Sequence, residues 1–435
     1  TLDGQTIALD AATGKPLWKV QLGNINRGET MTMAPLVADG RVYVGNSGGE
    51  MGVRGWVVAL DEQSGKLLWK AYNTGPDADV RIGAEFKPFY AADRGRDLGV
   101  RSWPADAWKI GGGSMWGWFT YDPDLHQVIH GTGNPGPWNS EQRPGDNKWT
   151  AGIFARDPAS GEAKWFYQFS PHDTDDYDGI NEQILLDMPF VYVIDRRSGQ
   201  VLSADPFGPI NSSRGVDLRT GALIVNPAKV GKLGQVTRDI CPTASGAKDW
   251  NPSSFNPGTG LLYIPHENMC MDWMNLEVNY ISGTPYVGAE VHMKAGPGDG
   301  HRGVLTAWDP ILRKPAWEIP ERFPVWSGTV TTAGNLVFYG TMDGWFKAVA
   351  ASTGKLLWQQ KLDSGIIGQP VSYRGPDGHQ YVAILTGVGG WSGAVVSGPV
   401  DPRDGSAALG MVNAMSDLPR YTNAGGTLYV FTLPH

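Results

Sequence analysis

An all-β fold is the class that the sequence predicts, on the strength of its composition and of an internal repeat. The 435 residues include 59 Gly, 31 Pro and 18 Trp, but only 18% of them are charged. This composition is typical of many short strands joined by tight turns, and not of long solvent-exposed helices. One phrase recurs along the chain as IALDAATGKPLW, VALDEQSGKLLW, FARDPASGEAKW, TAWDPILRKPAW and AVAASTGKLLW, with a weaker copy, YVIDRRSGQVL, at residues 192–202.

Each copy of this phrase predicts a β-hairpin. It contains a strand of alternating apolar residues, a turn formed by Asp and a Gly that can adopt positive φ, and a second strand that usually ends in Trp. The intervals from Trp18 to Trp69 and from Trp317 to Trp358 are 51 and 41 residues, close to the roughly 40 to 50 residues of a four-stranded propeller blade. The interval from Trp69 to Trp165 is much longer, which predicts one blade without the signature. We therefore predict a single β-propeller domain over residues 1–435, with the repeated Trp packed between neighbouring blades.

Charge and hydropathy argue against two classes of partner. The net charge is -8 and the Lys and Arg residues are scattered, so no basic stripe could follow a nucleic acid backbone. No segment approaches the ~20 continuous apolar residues of a membrane-spanning helix. The first residues, TLDGQTIALD, lack the basic and apolar regions of a signal peptide. We expect a soluble chain with no nucleic acid partner and no membrane span.

The two cysteines, Cys241 and Cys270, leave two interpretations open. They are either buried thiols or a disulfide that closes a loop, and a disulfide would indicate an oxidising compartment.

The acidic stretch PHDTDDYDG, residues 171–179, contains four aspartates within six positions. Carboxylates this close repel each other, so the stretch is either a solvated turn or a site for a cation. Three Gly-rich segments, GNSGGEMGVRG (45–55), KIGGGSMWGWF (109–119) and HGTGNPGPWN (130–139), add further oxygen donors. Glu50, Asn134, Asp176 and Asp178 together suit a hard cation such as calcium. The sequence has no comparable His or Cys cluster, which argues against zinc, copper and haem.

These motifs, together with RPGDNKW, DICPTASG, NMCMDW, FPVWSGTVTTAGNLVFYGTMDG and GVGGW, occur in an order that is specific to one family. From about residue 4 to the C-terminus the sequence resembles the large subunit of the pyrroloquinoline quinone (PQQ) dependent alcohol dehydrogenases, whose best known members are methanol dehydrogenases. The resemblance implies an eight-bladed propeller with the cofactor and the metal on its central axis.

The resemblance also implies roles for the acidic residues. Glu50 and Asn134 match the family's metal ligands, and Asp176 matches its catalytic carboxylate, which also binds the metal. Calcium members typically carry a small residue two places after the catalytic Asp, whereas lanthanide-dependent members carry a second Asp there, as Asp178 does. A trivalent ion needs this additional negative ligand. The site is therefore interpreted as lanthanide-type, closest to the lanthanide-dependent methanol dehydrogenases, with calcium as the alternative metal.

Further positions match the family's cofactor and substrate contacts. Trp116 matches the tryptophan that lies flat against the quinone, as suits a planar ring system. Trp138 and Leu409 match walls of the alcohol pocket, and Cys241 and Cys270 match a family disulfide. Other residues in cofactor-side motifs are Thr32, Ser47, Gly48, Gly49, Ser114, Asn268, Trp326, Gly390 and Trp391.

By resemblance, the protein is a periplasmic quinoprotein that oxidises a small primary alcohol, methanol above all. Hydride passes to PQQ with the help of a lanthanide ion, and a c-type cytochrome receives the electrons. Many relatives are dimers, so a homodimer is expected. One alternative is a calcium-dependent PQQ enzyme with a broader range of alcohols or aldehydes. Another is a noncatalytic propeller scaffold, which would have no need of Glu50, Asn134 and Asp176.

The sequence departs from the family in two places. It begins after the family's first blade, so we expect the opening blade or blades, with an adjacent Cys-Cys pair, to lie outside the sequence given. A longer family connection containing Arg or Lys is replaced by the continuous run ILLDMPFVYVIDR. We expect omission and not loss, because a propeller without its opening blade would expose apolar blade edges.

Overall fold

A computed structural model describes residues 1–183, 190–398, 400–401 and 403–432. Short strands dominate these residues, as the composition predicts. The strands of the first half are β1 (Gln5–Leu9), β2 (Pro16–Gln21), β3 (Leu36–Ala38), β4 (Arg41–Gly45), β5 (Trp56–Asp61), β6 (Leu67–Tyr72), β7 (Phe119–Asp122), β8 (Gln127–Thr132), β9 (Gly152–Arg156), β10 (Ala163–Gln168), β11 (Phe190–Ile194), β12 (Val201–Pro206), β13 (Ser213–Asp217) and β14 (Ala222–Val225).

The second half continues the same pattern and includes the longest strands. Its strands are β15 (Thr237–Ile240), β16 (Ser254–Asn256), β17 (Leu261–Glu267), β18 (Met269–Asn275), β19 (Ala289–Ala295), β20 (Gly303–Asp309), β21 (Lys314–Glu321), β22 (Val330–Thr331), β23 (Leu336–Gly340), β24 (Trp345–Ala350), β25 (Leu356–Lys361), β26 (Val371–Arg374), β27 (Gln380–Leu385) and β28 (Leu428–Thr432). The α-helices are short: α1 (Asp77–Val80), α2 (Leu98–Arg101), α3 (Gly390–Ser397) and α4 (Met411–Met415).

The strands form antiparallel sheets of the size expected for propeller blades. Four-stranded sheets are formed by β3 to β6, by β7 to β10, by β16, β17, β20 and β21, and by β22 to β25. Smaller sheets are formed by β1 and β2, by β11 and β12, by β13 and β14, by β15, β18 and β19, and by β26 to β28. The all-β prediction is confirmed. The count of eight blades stays a prediction, because the described strands form both full and partial blades.

The repeated phrase forms a hairpin at each full copy, as predicted. In the first copy, Asp10 Oδ1 accepts the backbone N–H of Thr13 at 2.7 Å, and Gly14 has a φ of +69°. In the second copy, Asp61 Oδ1 accepts the backbone N–H of Ser64 at 2.8 Å. The Asp therefore closes the turn with its side chain while the Gly adopts the left-handed conformation that other residues avoid.

In four copies of the phrase, the repeated Trp joins its own sheet to the next one along the chain. The indole N–H of Trp69, in β6, donates to the carbonyl of Pro158 in the β9–β10 turn at 2.9 Å. The ring also covers the glycine of that turn, since a Cβ added to Gly161 would lie 2.6 Å from it. Equivalent bonds run from Trp18 to Glu62, from Trp165 to Arg196 and from Trp317 to Ala351. The predicted packing of Trp between blades is confirmed.

One sequence-based prediction about the blades is wrong. The long interval from Trp69 to Trp165 holds no additional blade, because β6 and β7 are consecutive strands of two neighbouring sheets. The excess length is an insertion, residues 73–118, which contains α1, α2 and 3-10 turns but no strand. A long insertion between two repeats gives the same Trp-to-Trp spacing as a repeat without its signature, and loops tolerate such additions at little cost in free energy.

The largest buried apolar cluster consists mainly of residues from the second half of the chain and supports the walls of a cavity described below. It includes Trp138, Met271, Trp273, Trp326 and Met411. At its edge Cys241 and Cys270 form a disulfide, with 4.4 Å between their Cα atoms, which confirms the predicted pairing. Among the described residues, no helix combines the length and the apolar character that crossing a membrane requires.

Truncating Trp69 should cost far more stability than truncating Trp358. Trp69 is only 3% exposed and bridges two sheets, so Trp69→Ala should lower the free energy of unfolding by about 3 to 5 kcal/mol. Trp358 occupies the same place in its repeat but is 38% exposed, so the matched Trp358→Ala variant should lose much less. Guanidinium unfolding followed by circular dichroism measures both. Equal losses would contradict the bridging role of Trp69.

Candidate functional site

A cavity of about 220 Å³ brings together residues that lie far apart in the sequence. Its wall combines carboxylates, large aromatic rings and small residues. The lining residues are Glu50, Trp116, Trp138, Asp176, Asp178, Ala244, Ser245, Asp249, Trp250, Gly390, Trp391 and Leu409. Most of them come from motifs that the sequence analysis singled out.

The acidic stretch folds around the side chain of Asp173. Its Oδ2 accepts the backbone N–H groups of Asp176 at 2.9 Å and Tyr177 at 3.1 Å, while Ser170 Oγ donates to its Oδ1 at 2.8 Å. This turn places Asp176 in a left-handed conformation, with φ of +67°. Asp173, Asp175 and Asp176 are all buried. The interpretation of the stretch as a solvated acidic turn is therefore wrong.

Asp178 lies against the Gly-rich segment that contains Asn134. The backbone N–H of Asn134 donates to Asp178 Oδ1 at 2.6 Å. A Cβ on Gly133 would lie 2.7 Å from the same oxygen, so only glycine leaves room for the carboxylate here. The amide oxygen of Asn134 points toward Gly49, where an added Cβ would lie 3.8 Å from it. Asn134 is thus immediately behind the cavity wall, between Asp178 and the segment that carries Glu50.

Glu50 lies in the 3-10 turn Gly49–Met51 between β4 and β5. Its backbone carbonyl accepts the N–H of Tyr286 at 2.6 Å, which fixes this turn against a distant part of the chain. Its side chain reaches the cavity near Trp138. Glu50 therefore faces Asp176 and Asp178 although more than 120 residues separate them.

Burial and mutual repulsion perturb the carboxyl groups of the cavity. Burial raises the pKa of Asp176 well above its usual value, and Asp178, Glu50, Asp173 and Asp249 raise it further. The pKa of Asp178 is raised well above its usual value by burial and by Glu50 and Asp249. Burial is also the main cause that raises the pKa of Glu50 and brings that of Asp249 to about 7. A cation among these groups would stabilise their ionised forms.

The donor set fits a hard cation. Glu50, Asp176 and Asp178 supply carboxylate oxygens and Asn134 adjoins them with an amide oxygen, the ligand types that calcium-like ions prefer. Asp176 Oδ1 is buried and has no hydrogen-bond partner, which leaves it free to bind an ion or accept a proton. Within the part of the chain that the structure describes, no three His, Cys, Asp or Glu side chains already form a metal-binding group. The carboxylates thus surround a cavity and do not converge on one point.

The aromatic part of the site extends from Trp116. Its ring lies 6.5 Å from that of Trp250 between centroids, and the indole N–H of Trp118 donates to the carbonyl of Trp250 at 2.7 Å. A second cavity of about 470 Å³ shares Trp116, Trp250 and Gly390 with the first. Its lining residues are Thr32, Met33, Ala34, Trp116, Gly117, Trp118, Trp250, Pro252, Ile367, Gly368, Gln369 and Gly390. The two adjoining cavities leave room for a planar ligand against Trp116.

Five of the predicted cofactor residues lie together beside the two cavities, namely Thr32, Ser47, Gly48, Gly49 and Ser114. Thr32 Oγ1 and Ser47 Oγ share a hydrogen bond of 2.5 Å. Gly48 has a φ of +112°, and a Cβ there would lie 2.2 Å from the carbonyl of Gly28. A Cβ on Gly49 would lie 3.3 Å from Ser114 Oγ. The structure therefore brings these positions together, although of this group only Thr32 lines either cavity.

Two other predicted cofactor residues lie behind the wall. Trp326 is fully buried, and its indole N–H donates to Glu267 Oε1. Asn268 directs its amide to the carbonyls of Pro297 and His301, at 3.0 Å each. Neither lines either of these two cavities, so any effect of theirs on a cofactor bound there would be indirect.

The predicted substrate walls do reach the cavity. Trp138 stacks on Trp273 with 5.4 Å between ring centroids, so its position is rigid. Leu409 has a φ of +53°, a conformation that is uncommon for a residue with a branched side chain. Trp391 enters the wall from the first turn of α3. Strain of this kind often persists where the surrounding structure needs one side-chain direction.

One side of the wall was not predicted from the sequence, and it is formed by Ala244, Ser245, Asp249 and Trp250. The disulfide at Cys241 fixes the start of this segment. A signal was present, since the DICPTASG motif had no assigned role and is followed by AKDW, which contains a Lys-Asp pair beside a Trp. The predicted departure at ILLDMPF concerns residues 184–189, which lie outside the described residues.

Comparisons with known proteins agree on one family. The model of the PQQ glucose/ethanol/alcohol dehydrogenase β-propeller domain matches residues 1–204 and 303–382. A lanthanide-dependent methanol dehydrogenase of Methylacidiphilum fumariolicum is 49% identical over all of this chain and 74% of that protein. A methanol dehydrogenase (cytochrome c) subunit 1 of Methylorubrum extorquens is 42% identical over 99% of this chain and 72% of that protein. The solved structure of a europium-containing methanol dehydrogenase has a TM-score of 0.97 and 48% identity, covering all of this chain and 79% of the other.

Proposed function

Because the chain belongs to the PQQ glucose/ethanol/alcohol dehydrogenase β-propeller family, we propose that it oxidises a small primary alcohol, methanol above all, with PQQ and a lanthanide ion. The observation that carries the proposal is the wall of one cavity. There the carboxylates of Glu50, Asp176 and Asp178 meet the indole of Trp116. The names of the similar proteins, lanthanide-dependent and europium-containing, favour a trivalent ion over calcium.

A metal ion would be held by Glu50, Asn134, Asp176 and Asp178. Three carboxylates and one amide carry a formal charge that balances a trivalent ion, whereas calcium would leave one negative charge uncompensated. Gly133 supports the choice, because its lack of a side chain admits Asp178 to the site. Calcium is the alternative metal, and the presence of Asp178 favours a trivalent ion over it.

The cofactor would lie against Trp116, with Thr32, Ser47, Gly48, Gly49, Ser114, Gly390 and Trp391 around it. The quinone would supply the electron acceptor, and the metal ion a Lewis acid beside it. The protein's own contribution is a rigid aromatic plane, in which Trp116 is supported by Trp250. Asn268 and Trp326 would act from behind the wall.

Asp176 would be the general base. Its Oδ1 has no hydrogen-bond partner, so it is free to take the proton of the alcohol hydroxyl. The two backbone bonds to Asp173 hold the turn that aims this oxygen. Trp138 and Leu409 would exclude water and limit the size of the alcohol.

The compartment and the partners are proposed from a disulfide and from the similar proteins. The disulfide between Cys241 and Cys270 supports an oxidising compartment, which we propose to be the periplasm. A c-type cytochrome is proposed as the electron acceptor, because a similar protein is named as a cytochrome c methanol dehydrogenase subunit. The homodimer is proposed from the family resemblance alone.

Reconstitution tests the whole proposal. Protein freed of metal and cofactor should reduce an artificial electron-accepting dye on addition of methanol only when PQQ and a metal ion are supplied together, and lanthanum should activate it more strongly than calcium. Samples with PQQ alone or lanthanum alone are the controls. If no combination gives methanol-dependent dye reduction and PQQ does not bind, the noncatalytic scaffold becomes the better interpretation.

A further inference from the structure

Glu267, at the end of β17, is a buried acid for which the proposed chemistry has no use. It is 1% exposed and does not line the cavity itself. Its two carboxyl oxygens nevertheless hold two different parts of the site. Ser245 Oγ donates to Oε2 at 2.8 Å, and the indole N–H of Trp326 donates to Oε1.

The first of these bonds acts directly on the cavity wall, because Ser245 lines the cavity. The backbone N–H of Glu267 also donates to the carbonyl of Ala247 at 2.6 Å. Side chain and backbone of one residue therefore attach the segment from Ser245 to Trp250 to the end of β17. This segment carries the side of the wall that contains Asp249.

The second bond acts on the aromatic part of the site. Trp326 lies 5.1 Å from Trp250 between ring centroids, and Trp250 in turn lies 6.5 Å from Trp116. Both Trp250 and Trp116 line the two cavities. By fixing Trp326, the Glu267 carboxyl group limits where the ring of Trp250 can lie.

The surroundings of Glu267 favour hydrogen bonding over ion pairing. None of the ion pairs found among the described residues includes it. Burial raises the pKa of Glu267 to about 8, so the neutral acid is favoured near pH 7. In the neutral carboxyl group one oxygen accepts from the indole, and the other keeps its hydrogen bond with Ser245 Oγ, because the serine hydroxyl can either donate or accept. Glutamine offers the same pair of groups, because its carbonyl accepts from Trp326 and its NH₂ can donate to Ser245 Oγ.

We propose that Glu267 is a positioning residue for the cofactor. One route is its hydrogen bond with Ser245, and the other is its hydrogen bond with Trp326, whose ring packs against Trp250. The proposal rests on the function proposed above, because PQQ is the ligand that this wall would contact. It assigns Glu267 no contact with the reacting atoms.

The test measures the affinity of apo-protein for PQQ by quenching of indole fluorescence. Glu267→Ala removes both hydrogen bonds and should weaken PQQ binding about tenfold, the effect of one to two lost neutral bonds. Glu267→Gln preserves both and should bind PQQ within about twofold of the wild type. Glu321→Ala is the matched control. Glu321 is a buried acid that Tyr339 and Lys347 contact at 2.7 and 2.6 Å, away from either cavity, so its loss should leave PQQ affinity unchanged.

A double-mutant cycle tests whether Glu267 acts through Ser245. Ser245→Ala should weaken PQQ binding by itself, and combining it with Glu267→Ala should add less than the sum of the separate effects. Full additivity would overturn the route through Ser245. The positioning role would be overturned if Glu267→Gln bound PQQ as weakly as Glu267→Ala does. It would also be overturned if Glu321→Ala bound PQQ as weakly as Glu267→Ala does.

The outcomes also separate this inference from the proposed function. If wild-type protein does not bind PQQ, the function fails and the inference falls with it. If wild-type protein binds PQQ and Glu267→Ala binds equally well, only the inference fails. Near-ultraviolet circular dichroism of the apo-proteins gives a further readout, since Glu267→Ala should alter the tryptophan signal and Glu267→Gln should preserve it.

Discussion

Replacing Asp178 with alanine should abolish activation by lanthanum while preserving activation by calcium. Asp178 is a charged ligand candidate whose removal leaves Glu50, Asn134 and Asp176 in place. Two carboxylates balance a divalent ion but leave a trivalent ion undercompensated. The affinity for lanthanum should therefore fall by more than the about 10- to 100-fold that loss of an outer-shell partner costs. Calorimetric titration of apo-protein with each metal, and dye reduction with methanol, measure the two effects.

Two companion variants separate the charge of Asp178 from its hydrogen bond. Alanine also leaves the backbone N–H of Asn134 without its acceptor. Asp178→Asn retains an accepting oxygen and removes only the charge, so it should still lose most of the lanthanum affinity. Asp175→Asn is the control, because Asp175 is a buried acid of the same stretch that does not line the cavity. Unchanged lanthanum affinity in both Asp178 variants would remove Asp178 from the ligand set.

Local sequence patterns predicted the blades well because the interactions that form them are local. The turn aspartates Asp10 and Asp61 bond to residues three positions away. The contact of Trp69 with Pro158 is distant in sequence, yet the repeat implied it, since every blade must face another. The missing blade was predicted wrongly because spacing alone does not distinguish a degenerate repeat from an insertion, and residues 73–118 are an insertion.

The site was predictable to the extent that its residues lie in distinctive motifs. Glu50, Asp176 and Asp178 each lie in a motif whose composition demands an explanation, and the cavity brings them together. Ser245 and Asp249 were missed because nothing in their own segment shows which other segment will face them. Lining a cavity is a property of the folded chain, determined by contacts such as that between Ser245 and Glu267.

Trp326 shows that a residue in a cofactor-side motif need not line the cavity. Its motif matches a cofactor-side position, but its ring is fully buried against Trp250 and its N–H is used by Glu267. A motif identifies the neighbourhood of a site, and packing decides which member of that neighbourhood reaches the ligand. The roles of the individual lining residues therefore stay predictions, which their variants test.

Replacing Asp176 with asparagine should reduce methanol oxidation by about 10²- to 10⁴-fold, the usual contribution of a general base. The amide keeps an oxygen that can contact the metal but cannot accept the proton of the alcohol. Its size matches that of the carboxyl group, and the bonds from the Asp176 and Tyr177 backbone to Asp173 do not involve the replaced atoms. The variant should therefore fold normally and bind PQQ with nearly the affinity of the wild type.

Single-turnover measurements distinguish this loss of a base from the loss of a ligand. Asp176→Asn saturated with metal and PQQ should show slow reduction of the cofactor by methanol, while reoxidation by the dye keeps its normal rate. A deficit that disappears at high metal concentration would mean that Asp176 serves only as a ligand. Retention of the wild-type rate would mean that another group accepts the proton, and Asp249, whose pKa lies at about 7 and whose carboxyl group lines the same cavity, would be the first group to replace next.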